Sequence, residues 1–354
     1  MLKKMMLKSV IGAAALVAAV AAHAENINAT IVAGHPPVFR WVKHASETFI
    51  PAVNKALEGT EHTITWDEQY GGSLAKVGDE LESVEQGLAE VGLISSVFDP
   101  AKLPLQNVSY FTPFVSSEPL EVAGTIDDLH RSNPAMLSTW EANGLQYLGG
   151  PTALDDYLLM TNFPVNTIED LKGRKIAAPG PAVNWLSGTG AVGVAGNLTL
   201  YYNDIKTGVY DGVIVFASAA LPGKLHEVAP YITKVGFGAQ FSGAMAANKA
   251  WFDAQPAEVQ AALKAGGDAF REAYVADLDA AVETAFKTMG EQGATITEVD
   301  EEFRSKWAGG MNNVAKEWAT QVDGEGKAGT EVLKAYMDAM RAAGAKPVRN
   351  WDQE

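Results

Sequence analysis

The chain has 354 residues, no cysteine and a formal net charge of −16 at pH 7. Without cysteine it has no disulfide, no thiol nucleophile and no thiolate metal site. Its acidity argues against nucleic acid or an anionic lipid surface as a partner, because both attract basic patches. A chain of this length is expected to divide into two lobes.

The first 24 residues have the pattern of a secretory signal peptide. Three lysines (Lys3, Lys4 and Lys8) precede an apolar run over residues 10–22, and Ala22-His23-Ala24 matches the small-x-small cleavage site. The apolar run is shorter than the ~20 residues that a membrane-spanning helix needs. The pattern therefore predicts export to the periplasm, cleavage after Ala24 and no direct insertion into the membrane.

Strand and helix patterns alternate through the rest of the chain, which predicts an α/β fold. In the first half, strands are expected over residues 27–33, 63–66 and 91–95, and helices over 39–57 and 77–86. Gly149-Gly150-Pro151 then marks a crossover into a second lobe.

In the second half, strands are expected over residues 157–161, 174–178, 213–217 and 244–247. Pro256 begins a long helix with apolar residues every three or four positions, long enough to span two lobes, in which Gly266-Gly267 is a candidate kink. Two further helices are expected over residues 301–321 and 328–344.

The motifs of enzymes and of cofactor sites are absent or misplaced. Gly188 to Gly193 matches GxGxxG, but a helical pattern precedes it and a strand-like pattern follows, the reverse of the order that a dinucleotide site needs. No GxSxG or HExxH is present, and the histidines have no metal-ligand spacing. The sequence therefore predicts a protein that is not an enzyme and has no cofactor or metal.

Two stretches carry a resemblance to a known family. EDLKGRKIAAPG begins at Glu169, and KTGVYDG ends at Gly212. Together with QYGGSL at residues 69–74 and EQG at 85–87, they resemble the DctP family of solute-binding proteins, which serve TRAP transporters, and the resemblance covers residues 27–345. It implies a periplasmic-binding-protein-like fold: two α/β lobes, a ligand cleft between them and a long lobe-spanning helix. The boundaries expected are 25–148 with 238–278 for the first lobe, and 149–237 with 279–354, including the C-terminal helices, for the second.

The resemblance also implies which polar contacts are missing. The family's carboxylate-binding arginine falls on Ala177, a second arginine falls on Tyr157 or Leu158, and a polar tetrad falls on residues 213–216, Val-Ile-Val-Phe. A guanidinium–carboxylate pair is a strong, orienting contact. We therefore expect a ligand that is not a simple C4-dicarboxylate but an aromatic, amide-like or quaternary-ammonium solute. The expected ligand-binding residues are Trp185, Phe216, Val215, Ala177, Asn184, Tyr70, Phe98, Ser95, His35, Trp41 and Leu158.

The function that this resemblance implies is that of an extracytoplasmic receptor. It would capture a small organic solute and deliver it to the membrane-embedded subunits of a TRAP permease. Two alternatives remain open at this point: a receptor of the ABC-transporter type, and a secreted enzyme with its site in the cleft.

Overall fold

The computed structural model describes residues 25–354, and the signal peptide predicted over residues 1–24 lies outside them. Across the described range, no helix combines the length and the apolar character needed to cross a membrane. The strands are β1 Glu25–Ala33, β2 His62–Tyr70, β3 Val91–Ile94, β4 Leu145–Gly149, β5 Ala153–Leu154, β6 Tyr157–Thr161, β7 Lys175–Ala178, β8 Val192–Ala195, β9 Gly212–Phe216, β10 Tyr231–Lys234, β11 Gln240–Phe241, β12 Ala244–Asn248 and β13 Thr295–Glu298.

The α-helices alternate with these strands and then follow them. They are α1 Arg40–His44, α2 Ile50–Ala56, α3 Glu80–Glu85, α4 Pro119–Ser132, α5 Pro134–Ala142, α6 Leu198–Lys206, α7 Ala217–Ala220, α8 Lys249–Asp253, α9 Ala257–Glu291, α10 Glu301–Gly310, α11 Val314–Gly324 and α12 Gly329–Ala343. A π-helical turn, Ala45–Phe49, joins α1 to α2, and short 3₁₀ helices include Ser96–Phe98, Leu105–Phe111 and Gly180–Leu186.

Two mixed sheets form the centre of the molecule. One has the strand order β2-β1-β3-β12-β4, and the other has the order β13-β10-β6-β9-β7-β8. We call the elements built around the five-stranded sheet the first lobe and those around the six-stranded sheet the second lobe. Strand β9 lies between β6 and β7, and its run Gly-Val-Ile-Val-Phe is buried along its whole length, as expected for a strand covered on both faces.

The chain passes between the sheets through two segments that pair with each other. One segment leads from β4 to β6 and contains β5, and the other leads from β10 to β12 and contains β11. Strands β5 and β11 are antiparallel partners. Two carboxylates hold the first segment. The buried Asp155 accepts hydrogen bonds from the backbone N–H and the hydroxyl of Ser218, and the half-buried Asp156 accepts one from the N–H of Gly238.

Helix α9 has 35 residues and contacts both lobes. It packs against α2 and β4 of the first lobe and against α7 and β13 of the second. The Gly266-Gly267 pair lies inside one continuous helix, where it allows close packing. A Cβ atom at Gly267 would lie 2.2 Å from the carbonyl oxygen of Leu148, and one at Gly266 would lie 2.5 Å from Cγ2 of Val53.

The C-terminal region differs from the expectation in one respect. The single helix expected over residues 301–321 is two helices, α10 and α11, because the chain leaves the helix after Gly310 and α11 has its own N-cap, Asn313. The side chain of Asn313 accepts a hydrogen bond from the N–H of Lys316 there. Helices α11 and α12 pack against Leu105–Phe111, and α12 also packs against α4.

Candidate ligand-binding cavity

A narrow cavity of about 30 Å³ lies between the two lobes. The loops after β1, β3 and β7 and the carboxyl end of β9 contribute to it. Ligands of open α/β sheets bind outside the carboxyl ends of the strands in the same way. Its lining is mainly aromatic and aliphatic and consists of His35, Trp41, Ser95, Val97, Phe98, Tyr110, Leu154, Tyr157, Pro179, Leu198, Tyr201, Ile214, Val215, Phe216 and Ser242.

Aromatic rings from both lobes meet at this cavity. The ring centroids of Trp41, from α1, and Phe216, from the end of β9, are 5.9 Å apart. His35 lies against Trp41 in an edge-to-face arrangement with centroids 5.4 Å apart, and Phe98 is 6.2 Å from His35 on another side. Such pairs add favourable energy to the burial of their surface. The rings therefore supply an apolar slot that both lobes complete.

The lobes also approach each other closely through two loops. Gly180 follows β7 and has a left-handed backbone conformation, with φ of 44°. A Cβ atom at this position would lie 2.2 Å from the carbonyl oxygen of Val97, which follows β3. Glycine is therefore required here for the observed approach of the two lobes.

A second layer of rings supports the cavity. The hydroxyl groups of Tyr110 and Tyr157 are 2.8 Å apart and share a hydrogen bond. Trp185 stacks on Tyr110, and its Nε1–H donates to the carbonyl oxygen of Tyr110 at 2.7 Å. Trp185 is fully buried and lies outside the lining, so its position suits a support for the two tyrosines.

Two polar atoms of the lining lack a hydrogen-bond partner within the described residues. They are Nε2 of His35 and the hydroxyl of Tyr201. Both side chains are buried, at 4% and 1% exposure. Burial lowers the pKa of His35 to about 4, so that its ring is neutral near pH 7, and burial raises the pKa of Tyr201 well above its usual value.

A buried carboxyl group holds the loop that carries His35. Glu80, from α3, accepts hydrogen bonds from the backbone N–H of Gly34 at 3.0 Å and of Gly78 at 2.6 Å. Burial raises the pKa of this carboxyl to about 7. The residue before His35 also has no room for a side chain, because a Cβ atom at Gly34 would lie 2.5 Å from the backbone nitrogen of Val77.

Three of the positions on which the resemblance places the family's polar contacts are apolar here and lie together. Ala177, Leu158 and Val215 belong to one buried cluster, and Leu158 pairs with Val215 across the β6–β9 ladder. Tyr201, from α6, packs in the same cluster and also lines the cavity. The group that this face of the second lobe offers to the cavity is thus a neutral hydroxyl.

The structure brings six of the predicted site residues to the cavity and leaves five away from it. The six that line it are His35, Trp41, Ser95, Phe98, Val215 and Phe216. The others lie elsewhere: Ala177, Leu158 and Trp185 are buried outside the lining, Asn184 is exposed, and Tyr70 is half-buried with its hydroxyl near Ser46. Lining residues that the sequence did not single out include Tyr110, Tyr201, Leu198 and Ser242.

No lysine or arginine is among the described residues that line the cavity. Arg40 makes an ion pair with Asp277, and Arg174 lies over the ring of Phe163 at 4.2 Å. Within residues 25–354, no three histidine or carboxylate side chains are grouped as a metal site would need. The lining can therefore offer stacking, apolar contact and hydrogen bonds, but no formal positive charge.

The model of one protein family matches residues 39–321 of the chain, and it describes the DctP family, bacterial extracellular solute-binding protein family 7. The chain belongs to this family. Members are solute-binding proteins of TRAP transporters and are not enzymes, which confirms the predicted family and excludes the secreted enzyme. No curated protein sequence matches the chain.

Solved structures of TRAP solute-binding proteins share the fold. One from Sulfitobacter sp. NAS-14.1, with bound β-D-galacturonate, has 20% sequence identity and a TM-score of 0.73 over 88% of this chain and 99% of its own. A Bordetella pertussis receptor that binds pyroglutamic acid has 20% identity and a TM-score of 0.74 over 87% and 99%. The periplasmic ectoine-binding protein of Halomonas elongata has 18% identity and a TM-score of 0.75 over 90% and 100%. The predicted periplasmic-binding-protein fold with its long helix is therefore confirmed.

Proposed function

We propose that this DctP-family protein is a periplasmic receptor that closes on an uncharged or cationic organic solute and presents it to the membrane subunits of a TRAP permease. The observation that carries the ligand class is the lining of the cavity: rings from both lobes and no described lysine or arginine. A dicarboxylate in such a site would lose its hydration without gaining a counter-charge. Aromatic, amide-like and quaternary-ammonium solutes fit this lining better.

The proposed closure is a rotation of two lobes about the paired crossing segments. From the sequence, residues 25–148 and 238–278 are expected to form the first lobe, and residues 149–237 and 279–354 are expected to form the second. The contacts of α11 and α12 with Leu105–Phe111 and α4 support grouping these two helices with the first lobe, unlike the expectation from sequence alone. A ligand that contacts both lobes would then shift the population towards the closed form.

A thermal-shift screen tests the ligand class. Succinate, malate and fumarate are set against uncharged aromatic compounds, neutral amides and quaternary amines, with aromatic acids as a further anionic comparison. A ligand at a hundredfold excess over its Kd adds about 2.7 kcal/mol to the free energy of unfolding, which raises the melting temperature by several degrees. We expect the largest shift from an amide, an aromatic or a quaternary amine, weakened by Phe216→Ala. A larger shift from succinate that survives Phe216→Ala would contradict the proposal.

Export follows from the family and from the predicted signal peptide. The mature protein is expected to begin at Glu25 and to be released from the periplasm by osmotic shock. Intact-mass measurement of the released protein checks this, and a mass that includes Met1 would contradict cleavage after Ala24.

A further inference from the structure

The cavity contains two buried polar atoms that the described part of the protein leaves without a partner. His35 and Tyr201 both line it, and their unpartnered atoms are Nε2 of His35 and the hydroxyl oxygen of Tyr201. A buried donor or acceptor without a partner costs free energy, and each such group in a native structure requires an explanation. In a receptor, polar groups of the ligand are the simplest partners for both atoms.

The two atoms come from different lobes. His35 follows β1 in the first lobe, in the loop that Glu80 holds, and Tyr201 lies on α6 of the second lobe. A solute that bonds both of them therefore connects the lobes. It would gain its full set of hydrogen bonds only when the lobes are closed.

Both groups are electrically neutral near pH 7. The pKa of His35 is lowered and that of Tyr201 is raised, in each case by burial. Tyr201 packs beside Ala177, Leu158 and Val215, so a hydroxyl is offered where the family has charged or polar contacts. Neutral groups of this kind recognise a hydrogen-bonding pattern and do not neutralise a charge.

We infer that His35 and Tyr201 are specificity-determining residues for an uncharged solute that has an apolar ring and two hydrogen-bonding groups, one for each lobe. This inference rests on the proposed receptor function and narrows it. A quaternary ammonium group has no hydrogen-bond donor or acceptor and would leave both atoms without partners. A carboxylate would find donors but no counter-charge. An aromatic amide with a second polar group satisfies both atoms and fills the apolar slot.

Three probes of similar size separate these classes. 4-Hydroxybenzamide is uncharged and polar at both ends, 4-hydroxybenzoate differs from it by a negative charge, and phenyltrimethylammonium carries a positive charge without hydrogen-bonding groups. Isothermal titration calorimetry on the mature protein is expected to rank 4-hydroxybenzamide as the tightest binder of the three.

Variants then test the two residues directly. Tyr201→Phe removes only the hydroxyl, and because this group has no partner, we expect the melting temperature of the free protein to stay the same or rise. The same change should weaken binding of 4-hydroxybenzamide roughly threefold to tenfold, as the loss of one neutral hydrogen bond does. His35→Phe should have an effect of similar size.

The neighbouring residue supplies a matched control. Tyr202 lies on the same helix, and its hydroxyl donates to Glu227 outside the cavity. Tyr202→Phe should therefore leave the affinity for 4-hydroxybenzamide unchanged.

Three results would overturn the inference: tighter binding of 4-hydroxybenzoate or phenyltrimethylammonium, equal affinities of the wild type and both cavity variants, or binding of none of the probes at millimolar concentration. Tight binding of phenyltrimethylammonium would still agree with the proposed receptor. Tight binding of succinate would contradict the ligand class proposed for the receptor itself, so the two failures can be distinguished.

Discussion

His130 illustrates how a single buried residue is matched to its surroundings. It lies on α4, its Nδ1–H donates to the carbonyl oxygen of Ile126 at 2.8 Å, and its Nε2 accepts from the Nε1–H of Trp140 at 3.0 Å. Because the carbonyl can only accept and the indole can only donate, these two bonds define the tautomer. The ring also stacks on Tyr147, with centroids 4.2 Å apart. Protonation at Nε2 would break this arrangement.

His130 makes the free energy of unfolding depend on pH. Burial lowers the pKa of His130 from 6.5 to about 4. Below pH 6.5, His130 binds a proton in the unfolded chain but stays neutral in the folded protein. The contribution of neutral, buried His130 to the free energy of unfolding is therefore lost as the pH falls towards 4. The loss is roughly 3 kcal/mol. Buried carboxyls such as Glu80, with a pKa raised to about 7, stabilise the folded protein as the pH falls. The effect of His130 must therefore be measured as the difference in unfolding free energy between the wild type and a His130 variant.

We therefore expect the destabilisation caused by His130→Gln to be largest at pH 7 and to shrink by roughly 3 kcal/mol by pH 4, because glutamine does not titrate. Urea unfolding of the wild type and of His130→Gln at a series of pH values measures this difference in unfolding free energy. A destabilisation that is independent of pH would show that His130 titrates normally in the folded protein.

At the scale of residues, some of the residues that line the cavity could be predicted from the sequence because they lie at the ends of strands. His35, Ser95 and Phe216 follow or end strands, and the carboxyl ends of strands converge in this kind of fold. Tyr110 and Tyr201 were missed because they lie on helical segments whose pattern is that of ordinary core packing. Only the packing of those segments against the second lobe and the crossing strands brings the two hydroxyls to the cavity.

At the scale of elements, local patterns predicted seven of the thirteen described strands and the long helix; the strands are β1, β2, β3, β6, β7, β9 and β12. The strand expected over residues 157–161 is β6, and the helix expected from Pro256 is α9. Helices α4 and α5, and the edge strand β13, whose side chains are exposed, were not predicted. An exposed edge strand lacks the hydrophobic alternation that marks a half-buried one, so nothing in its sequence distinguishes it from a loop.

The Gly266-Gly267 pair shows the limit of this kind of reasoning. A glycine pair in a helix indicates either a kink or a close contact, and the choice depends on what lies opposite. Here the backbone of β4 lies opposite Gly267 and the side chain of Val53 lies opposite Gly266, both at distances that admit no Cβ atom. The partners are more than a hundred residues away in the chain, so local pattern cannot identify them.

At the scale of the whole molecule, the proposed closure of the lobes can be tested at the close approach of Gly180 to Val97. Gly180→Ala would place a Cβ atom 2.2 Å from the carbonyl oxygen of Val97 and force the lobes apart. Gly173→Ala is a matched control, because Gly173 also has a positive φ, of 76°, but has no neighbouring atom within 4 Å of a Cβ. Each substitution should lower the free energy of unfolding by about 1–2 kcal/mol, from the left-handed conformation.

Only Gly180→Ala should prevent closure. We expect a bound solute to reduce the radius of gyration of the wild type and of Gly173→Ala without a change in helix content, and to leave Gly180→Ala expanded and more weakly bound. Small-angle X-ray scattering measures the radius of gyration, and circular dichroism measures the helix content. An unchanged radius in the wild type, with binding confirmed by calorimetry, would contradict closure by a hinge.

The close packing of α9 has a mechanical consequence. Gly267 brings the helix against the backbone of β4, and Gly266 brings it against the side chains of Val53 and Phe49, so sliding or rolling of its N-terminal half would cause a steric clash. In the proposed closure we therefore expect that half to move with the first lobe. The same helix also packs against α7 and β13 of the second lobe. In the proposed closure, a rotation between the lobes would therefore have to bend α9 beyond the glycines or displace it from its contacts with the second lobe.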